Sequence, residues 1–310
     1  MTDPTGPARA LEGKVVVVTG AGRGIGRELA LEVARDGGRV VVNDVGSSVG
    51  GEGKDHGPAD QVVREIQAAD GEAVASYASV AEWSSALRII ETAMTVFGRI
   101  DAVVNNAGIL RDRFFFNMDP DEWKAVIDVH LNGSFFVSRA AAPQFKNQRS
   151  GAYVHLVSTS GLIGNLGQAN YSAAKLGIVA LSKSIAMDMQ RYGVRSNCVS
   201  PFALSRMIGT IPADGREQET RLKRLQAMEP AKIAPLVAYL VSDLAAQVSG
   251  QVFAVRANEI FLMSQSRPLR SLHADGGWTM NSIAERAIPA LRANFYPLER
   301  SQDVFSWDPI

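Results

Sequence analysis

The chain has 310 residues, 46% hydrophobic and 21% charged, with 32 acidic and 32 basic residues. That is the profile of a soluble globular protein with an ample core, and the charge balance leaves no basic excess for nucleic acid or an anionic membrane. A single cysteine, Cys198, rules out an intramolecular disulfide and a cysteine-type zinc site; no apolar run approaches the roughly 18 residues of a membrane span, no signal-peptide pattern opens the chain, and a metal-free cytoplasmic protein is expected.

Residues 1–13 are polar and rich in proline and glycine, as in a loose arm. Lys14-Val-Val-Val-Val-Thr19 is a continuous apolar run, which predicts a strand buried on both faces. Gly20-Ala-Gly-Arg23-Gly24-Ile25-Gly26 follows, and Ile25, Leu29, Ala30 and Val33 recur at the spacing of an inner helix stripe. Strand, glycine turn and helix form the context of a dinucleotide site, where backbone amides and a helix N-terminus face a pyrophosphate. The spacing is Gly20-x-x-x-Gly24-x-Gly26, not Gly-x-Gly-x-x-Gly, since position 25 is isoleucine. A second strand, Arg39-Val-Val-Val-Asn43-Asp44, ends in a carboxylate. An acid there accepts hydrogen bonds from the adenine ribose and repels a 2′-phosphate, which favours NAD over NADP. Arg23 pulls the other way, and Asp44 is weighed more heavily.

Residues 46–57 are glycine-rich and polar, and a mobile loop is expected. A helix is predicted over 58–69, a strand over 73–77, and a helix over 83–97 with Leu87, Ile90, Ala93 and Val96 as core positions. Ile100 to Gly108 reads as a fourth strand and its exit, Asn105-Asn106-Ala107-Gly108, whose small residues let backbone approach a flat ligand. Tyr153-Val-His-Leu-Val157 is another apolar strand, and Ser158 ends it. Ala174, Ile178, Leu181, Ile185 and Met189 recur at helical spacing, so Tyr171 opens a helix and shares one face with Lys175. A free phenol titrates near 10, and a nearby ammonium, here Lys175 together with a cationic nicotinamide, favours the phenolate. Tyr171 is thus a candidate general base for an alcohol proton, with Ser158 holding the same oxygen. Helices are also predicted from about 215 to 228 and over 232–246, and a last strand over 251–256.

The glycine turn, Asn105-Asn-Ala-Gly108, Ser158 and Tyr171-x-x-x-Lys175 together resemble the short-chain dehydrogenase/reductase family over about residues 10–255. Within it, Val41-Val-Asn-Asp44-Val-Gly46, Asn105 to Arg113 and Gly164 to Lys175 look most like the (3R)-hydroxyacyl-CoA dehydrogenase units of type 2 peroxisomal multifunctional enzymes, also called type-4 17β-hydroxysteroid dehydrogenases. The resemblance implies an α/β fold: a Rossmann-type doubly wound parallel sheet, with residues 1–256 as the NAD-binding catalytic domain and 257–310 as a C-terminal extension. By family role Ser158 orients the carbonyl oxygen, Tyr171 exchanges the proton, and Lys175 binds the nicotinamide ribose and lowers the tyrosine pKa. The implied cofactor contacts are the turn residues Gly20, Arg23, Gly24, Ile25 and Gly26, then Asp44, then Ser79 and Val80. Asn106, Ala107, Gly108, Tyr171 and Lys175 complete them. Pairing into a homodimer or homotetramer is implied through helices near 122–146 and 169–192.

Two positions depart from the family pattern. His130 stands where an asparagine often supports a proton-relay water, and a neutral imidazole can both donate and accept. Ala78 stands where an acid commonly meets the adenine amine. The acyl-CoA reading draws on Phe114-Phe115-Phe116, which cannot all face one core; Phe114 or Phe115 is expected at the cleft, with Leu162, Phe202 and Met207 completing an apolar wall. Arg111, Arg113 and Arg206 are candidates for CoA phosphates. The tail carries Ile260-Phe-Leu-Met263, Trp278, Phe305 and Trp307, with a helix over 281–295 divided by Pro289. That much apolar surface is expected to pack on the cleft or on a neighbouring subunit.

Four functions compete. The first is NAD-dependent oxidation of a 3-hydroxyacyl-CoA, with a bulky or steroid acyl tail as one option. The alternative is an NAD-dependent hydroxysteroid or other secondary-alcohol dehydrogenase. An NADPH-dependent 3-oxoacyl-carrier-protein reductase is disfavoured by Asp44. A catalytically silent regulator is disfavoured by the intact Ser158, Tyr171 and Lys175.

Overall fold

The valine run becomes β1 (Val15–Thr19), buried throughout. Val16 and Val18 pack with Leu29, Val33, Ile66 and Leu240 on one side. Val15 and Val17 pack with Ile89, Ile100, Phe145 and Tyr153 on the other. Apolar side chains on both faces are what a strand needs when helices cover both faces of its sheet. This computed structural model describes residues 9–202 and 228–310; Arg206, Met207 and the helix expected from residue 215 lie outside the described residues.

The remaining strands are β2 (Arg39–Asn43), β3 (Ala73–Ser76), β4 (Ala102–Asn105), β5 (Gly151–Leu156), β6 (Val194–Phe202), β7 (Val252–Arg256) and β8 (Glu259–Leu262). They form one sheet in the order β3-β2-β1-β4-β5-β6-β7-β8. All neighbours run parallel except β7 and β8. The order reverses between β1 and β4, and ligands in such sheets bind at the carboxyl ends of the strands beside that reversal. The division expected at residue 256 falls inside the β7–β8 hairpin, which Ala257 turns with φ of 52°.

Helices α1 (Gly24–Arg35), α2 (Gly57–Ala68) and α3 (Trp83–Phe97) lie close to their expected bounds. The buried stripe of α3 is Ala86, Ile89, Ile90 and Ala93. Leu87 and Val96, expected in the core, are 43% and 51% exposed; they flank the two edges of that stripe. The segment near 122–146 divides into α4 (Pro120–Ile127), a π-helical turn (Asp128–Asn132) and α5 (Gly133–Gln148). Asp119 starts α4 with a capping box, its side chain accepting from Asp121 N and its own N–H donating to Glu122. A short helix α6 (Thr159–Leu162) and the long α7 (Ala169–Met189) follow. The helix expected over 232–246 is α8 (Ala234–Val241), with 3-10 turns on either side. Among the described residues no helix is long and apolar enough to cross a membrane.

The tail is helical from Met280 to Asn294 in four short pieces, α, π, α and 3-10, with Pro289 in the third. Its end then folds back onto its own chain. Ser301 donates from N and Oγ to Gly164 O, at 3.0 and 3.2 Å. Phe305 meets Phe202 and Phe261, with ring centroids 4.8 and 5.2 Å away. The buried Arg256 donates to Trp307 O at 2.8 Å and lies 4.6 Å from the Trp307 ring centroid.

Candidate active site

The end of β1 organises the nucleotide side. Thr19 Oγ1 accepts from Asn106 N at 3.0 Å and Ala107 N at 3.1 Å. Asn106 Nδ2 returns two bonds, to Thr19 O and Gly20 O, both 3.0 Å. The exit of β4 is thereby bolted to the glycine turn, so closely that a Cβ on Gly20 would lie 2.8 Å from Ala107 Cα and one on Gly26 would lie 2.1 Å from Gly20 O. Arg23 is the N-cap of α1, and no side chain caps that helix. Among the described residues its first-turn N–H groups have no side-chain partner, the arrangement that suits a pyrophosphate. A cavity of about 920 Å³ opens here. It is lined by Gly20, Arg23, Ile25 and Gly26, by Asp44, by Ser79 and Val80, and by Asn106, Ala107 and Gly108. Of the cofactor contacts expected from the sequence, Gly24, Tyr171 and Lys175 are not in that lining. The residues present fit a dinucleotide.

Asp44 accepts from Gly22 N at 2.8 Å and Gly46 N at 2.7 Å, which orients its carboxylate at the cavity wall. The loop over 46–57, expected to be mobile, is laced down instead. Ser48 N donates to Glu52 O at 2.7 Å, and Leu110 N to Val49 O at 3.0 Å. Arg111 Nε donates to Gly50 O at 2.7 Å.

On the other side, β5 and α7 bring Ser158, Tyr171 and Lys175 together. Ser158 caps α6, accepting from Ser160 N at 3.1 Å and donating from Oγ to Ser160 Oγ at 3.2 Å, and its hydroxyl acts to lower the Tyr171 phenol. Lys175 is 4% exposed; Nζ donates to Leu156 O at 2.6 Å and lies 5.5 Å from the Tyr171 ring centroid. Burial pushes Lys175 down to about 7. Burial also pushes the Tyr171 phenol above its ordinary value of 10, against a smaller lowering by Ser158. In the protein alone burial, not Lys175, sets the direction of the shift. A low-dielectric site penalises ammonium and phenolate alike, and a lysine near 7 carries only about half a charge at neutral pH.

His130 sits in the π-helical turn, 3% exposed. Its Nε2 is 3.0 Å from Ile109 N and 2.8 Å from Ile109 O, and its ring meets Tyr171 edge-on at 5.2 Å. Nδ1 is buried with no partner among the described residues. Gly108 makes room for the ring: a Cβ there would fall 2.4 Å from His130 Cε1. Burial, with the Lys175 charge, pushes His130 down to about 3, so the imidazole is neutral at physiological pH.

Sequence reasoning passed over Asn170. Fully buried, it donates from Nδ2 to Arg111 O at 3.0 Å and Glu122 O at 3.2 Å, and accepts from Tyr171 N at 2.7 Å. One amide thus joins the segment after β4, the helix α4 and the candidate base. Its place directly before Tyr171 was the available signal.

The expected substrate wall does not assemble as one surface among the described residues. Phe114 and Phe115 are 55% and 79% exposed, and Phe114 stacks on Phe116 at 5.8 Å. Leu162 packs with Val157 and Ile178, while Phe202 joins the aromatic end of the tail. Arg111 and Arg113, candidates for CoA phosphates or for plain solvated charges, face carboxylates: Glu52 at 3.4 Å and Glu122 at 2.8 Å.

A profile of the short chain dehydrogenase family matches residues 14–210. The peroxisomal hydratase-dehydrogenase-epimerase of Neurospora crassa is 43% identical over 277 residues, covering 89% of this chain and 30% of that protein. The chain thus spans less than a third of that relative's length. The hydroxyacyl-CoA dehydrogenase ChsB1 of Mycobacterium tuberculosis is 42% identical over 278 residues, covering 86% of this chain and 84% of its own. A crystal structure of a short chain dehydrogenase from Mycobacterium avium superposes with a TM-score of 0.81 at 38% identity, covering 93% of this chain and 97% of that one.

Proposed function

Because the chain belongs to the short-chain dehydrogenase/reductase family, we propose that it oxidises a 3-hydroxyacyl-CoA to the 3-oxoacyl-CoA with NAD. The observation that carries this reading is the cluster of Tyr171, Ser158 and Lys175, joined through His130 to Gly108 at the cavity. The names of the relatives favour an acyl-CoA, and Asp44 at the cavity wall favours NAD.

NAD, when bound, supplies the nicotinamide that accepts hydride from the carbinol carbon. Tyr171 takes the hydroxyl proton of the substrate, and Ser158 holds the same oxygen in place. Lys175 binds the nicotinamide ribose and, when protonated, favours the phenolate that burial otherwise opposes. Neutral His130 serves as a hydrogen-bonding relay through its unpartnered Nδ1. The exposed Phe114 and Phe115 suit an apolar acyl tail, a steroid side chain included. Residues 257–310 act as a wall on the cleft or as a dock for a neighbouring subunit. Pairing into a dimer or tetramer draws on Trp123, Phe135, Leu176 and Met187, which are exposed along α4, α5 and α7. The enzyme works in the cytoplasm on this reading.

One assay tests the core of it: NAD reduction with a 3-hydroxyacyl-CoA, a free hydroxysteroid, and buffer alone. Reduction with the acyl-CoA far above the other two is expected. Activity on the steroid alone would move the assignment to hydroxysteroid oxidation, and no reduction with any substrate would refute it.

A further inference from the structure

At the adenosine end of the cavity two charges oppose each other: the Asp44 carboxylate disfavours a 2′-phosphate, and the Arg23 guanidinium attracts one. In the fold Arg23 is already partnered, its Nη2 standing 3.6 Å from Asp55 Oδ2. Asp55 comes from the far end of the loop after β2 and is held by backbone. Its N–H donates to Val45 O at 3.3 Å, and the chain passes so near Gly46 that a Cβ there would fall 1.7 Å from Asp55 O. Its Oδ1 accepts from Gly57 N at 2.9 Å, at the start of α2. One carboxylate oxygen therefore fixes the side chain, and the other faces Arg23.

This pair contributes little to stability. Its side chains are 49% and 61% exposed, and exposed ion pairs are weak. Its consequence is electrostatic and local. Arg23 and Asp44 line the same cavity, together with the cations Lys54 and Arg111. We infer that Asp55 is a positioning residue for dinucleotide choice: by pairing with Arg23 it withholds that guanidinium from a 2′-phosphate and adds a second negative charge near Asp44. A plain ribose hydroxyl is indifferent to that charge, whereas a phosphate is repelled. The inference rests on the NAD reading above, and it supplies the reason that Arg23 does not overturn Asp44.

Asp55→Asn keeps an oxygen for Gly57 N and removes the charge. Fluorescence titration of NADH and NADPH into the substrate-free protein gives both dissociation constants directly. NADPH should tighten by about three- to tenfold, with NADH changed by less than about twofold. Adding Arg23→Ala should erase the gain, and the NADP-to-NAD ratio of kcat/KM should follow the same pattern. Equal shifts for both cofactors, no tightening of NADPH, or a gain that survives loss of Arg23 would each overturn the inference. Tighter binding of NADPH than NADH by the unaltered protein would instead sink the NAD reading itself.

Discussion

Acid should loosen this fold between pH 7 and 5, and two buried histidines set much of the slope. His155 in β5 is 0% exposed and His130 is 3% exposed. Burial pushes both down to about 3, against about 6.5 in an unfolded chain. Between those values the unfolded chain binds more protons than the folded one. The stabilisation is thus present above pH 6.5 and is lost progressively as pH falls towards 3. Linkage gives a loss of about 2 kcal/mol per histidine between pH 7 and 5, or about 4 kcal/mol for both. That is a sizeable part of a typical stability of about 5–15 kcal/mol. His155→Asn isolates one contribution. His155 Nδ1 lies 3.1 Å from Asn105 Nδ2, which can only donate; an amide oxygen accepts the same bond and does not titrate. Nε2 has no partner among the described residues, so its loss strands nothing. Urea denaturation of both proteins at pH 7, 6 and 5, followed by circular dichroism, reads the slopes. The variant should be weaker at pH 7 by about 1–2 kcal/mol, from lost ring packing. Its further loss down to pH 5 should be smaller than that of the unaltered protein by about 2 kcal/mol. Parallel stability-against-pH curves would refute the reasoning.

Tyr171→Phe should cut turnover by at least about a hundredfold while leaving NADH binding nearly intact; substantial residual turnover would remove Tyr171 as the base. His130→Ala should lower turnover several-fold with little change in cofactor affinity, and unchanged turnover across pH would remove the relay. Asn170→Ala removes the bonds to Arg111 O, Glu122 O and Tyr171 N, at a cost of about 2–3 kcal/mol. A fall of roughly 5 °C or more in Tm is expected, and an unchanged Tm would show that the amide ties nothing together. Deletion from Ala274 onward uncovers Phe202 and Arg256 and should change the ratio of activity on short-chain to bulky acyl-CoA in a protein that still binds NAD. A truncated protein with unaltered mass and substrate ratio would leave the tail with neither proposed role.

The sequence by itself determined whatever depends on neighbours along the chain. Four consecutive valines mark a doubly covered strand, Gly20 and Gly26 after it mark a close backbone approach, and a four-residue step places Tyr171 and Lys175 on one helix face. Each is set by the period of a regular element and by the absence of a Cβ. Tertiary structure decided what depends on the orientation of whole elements. The helical period left the rotation of α3 open, and packing turned Leu87 and Val96 outward. Nothing local marked β8, since its partner β7 creates its edge, or the π-helical turn that presents His130 to Gly108 and Tyr171. The polar loop after β2 read as mobile because its anchors, Leu110 and Arg111, lie over fifty residues away in sequence. Arg23 read as a free cation because a sequence does not show that Asp55 returns to it. The Tyr171 phenol was expected to fall beside an ammonium, yet burial raises it. Burial is a property of the assembled surroundings, and it acts on Tyr171 and Lys175 together.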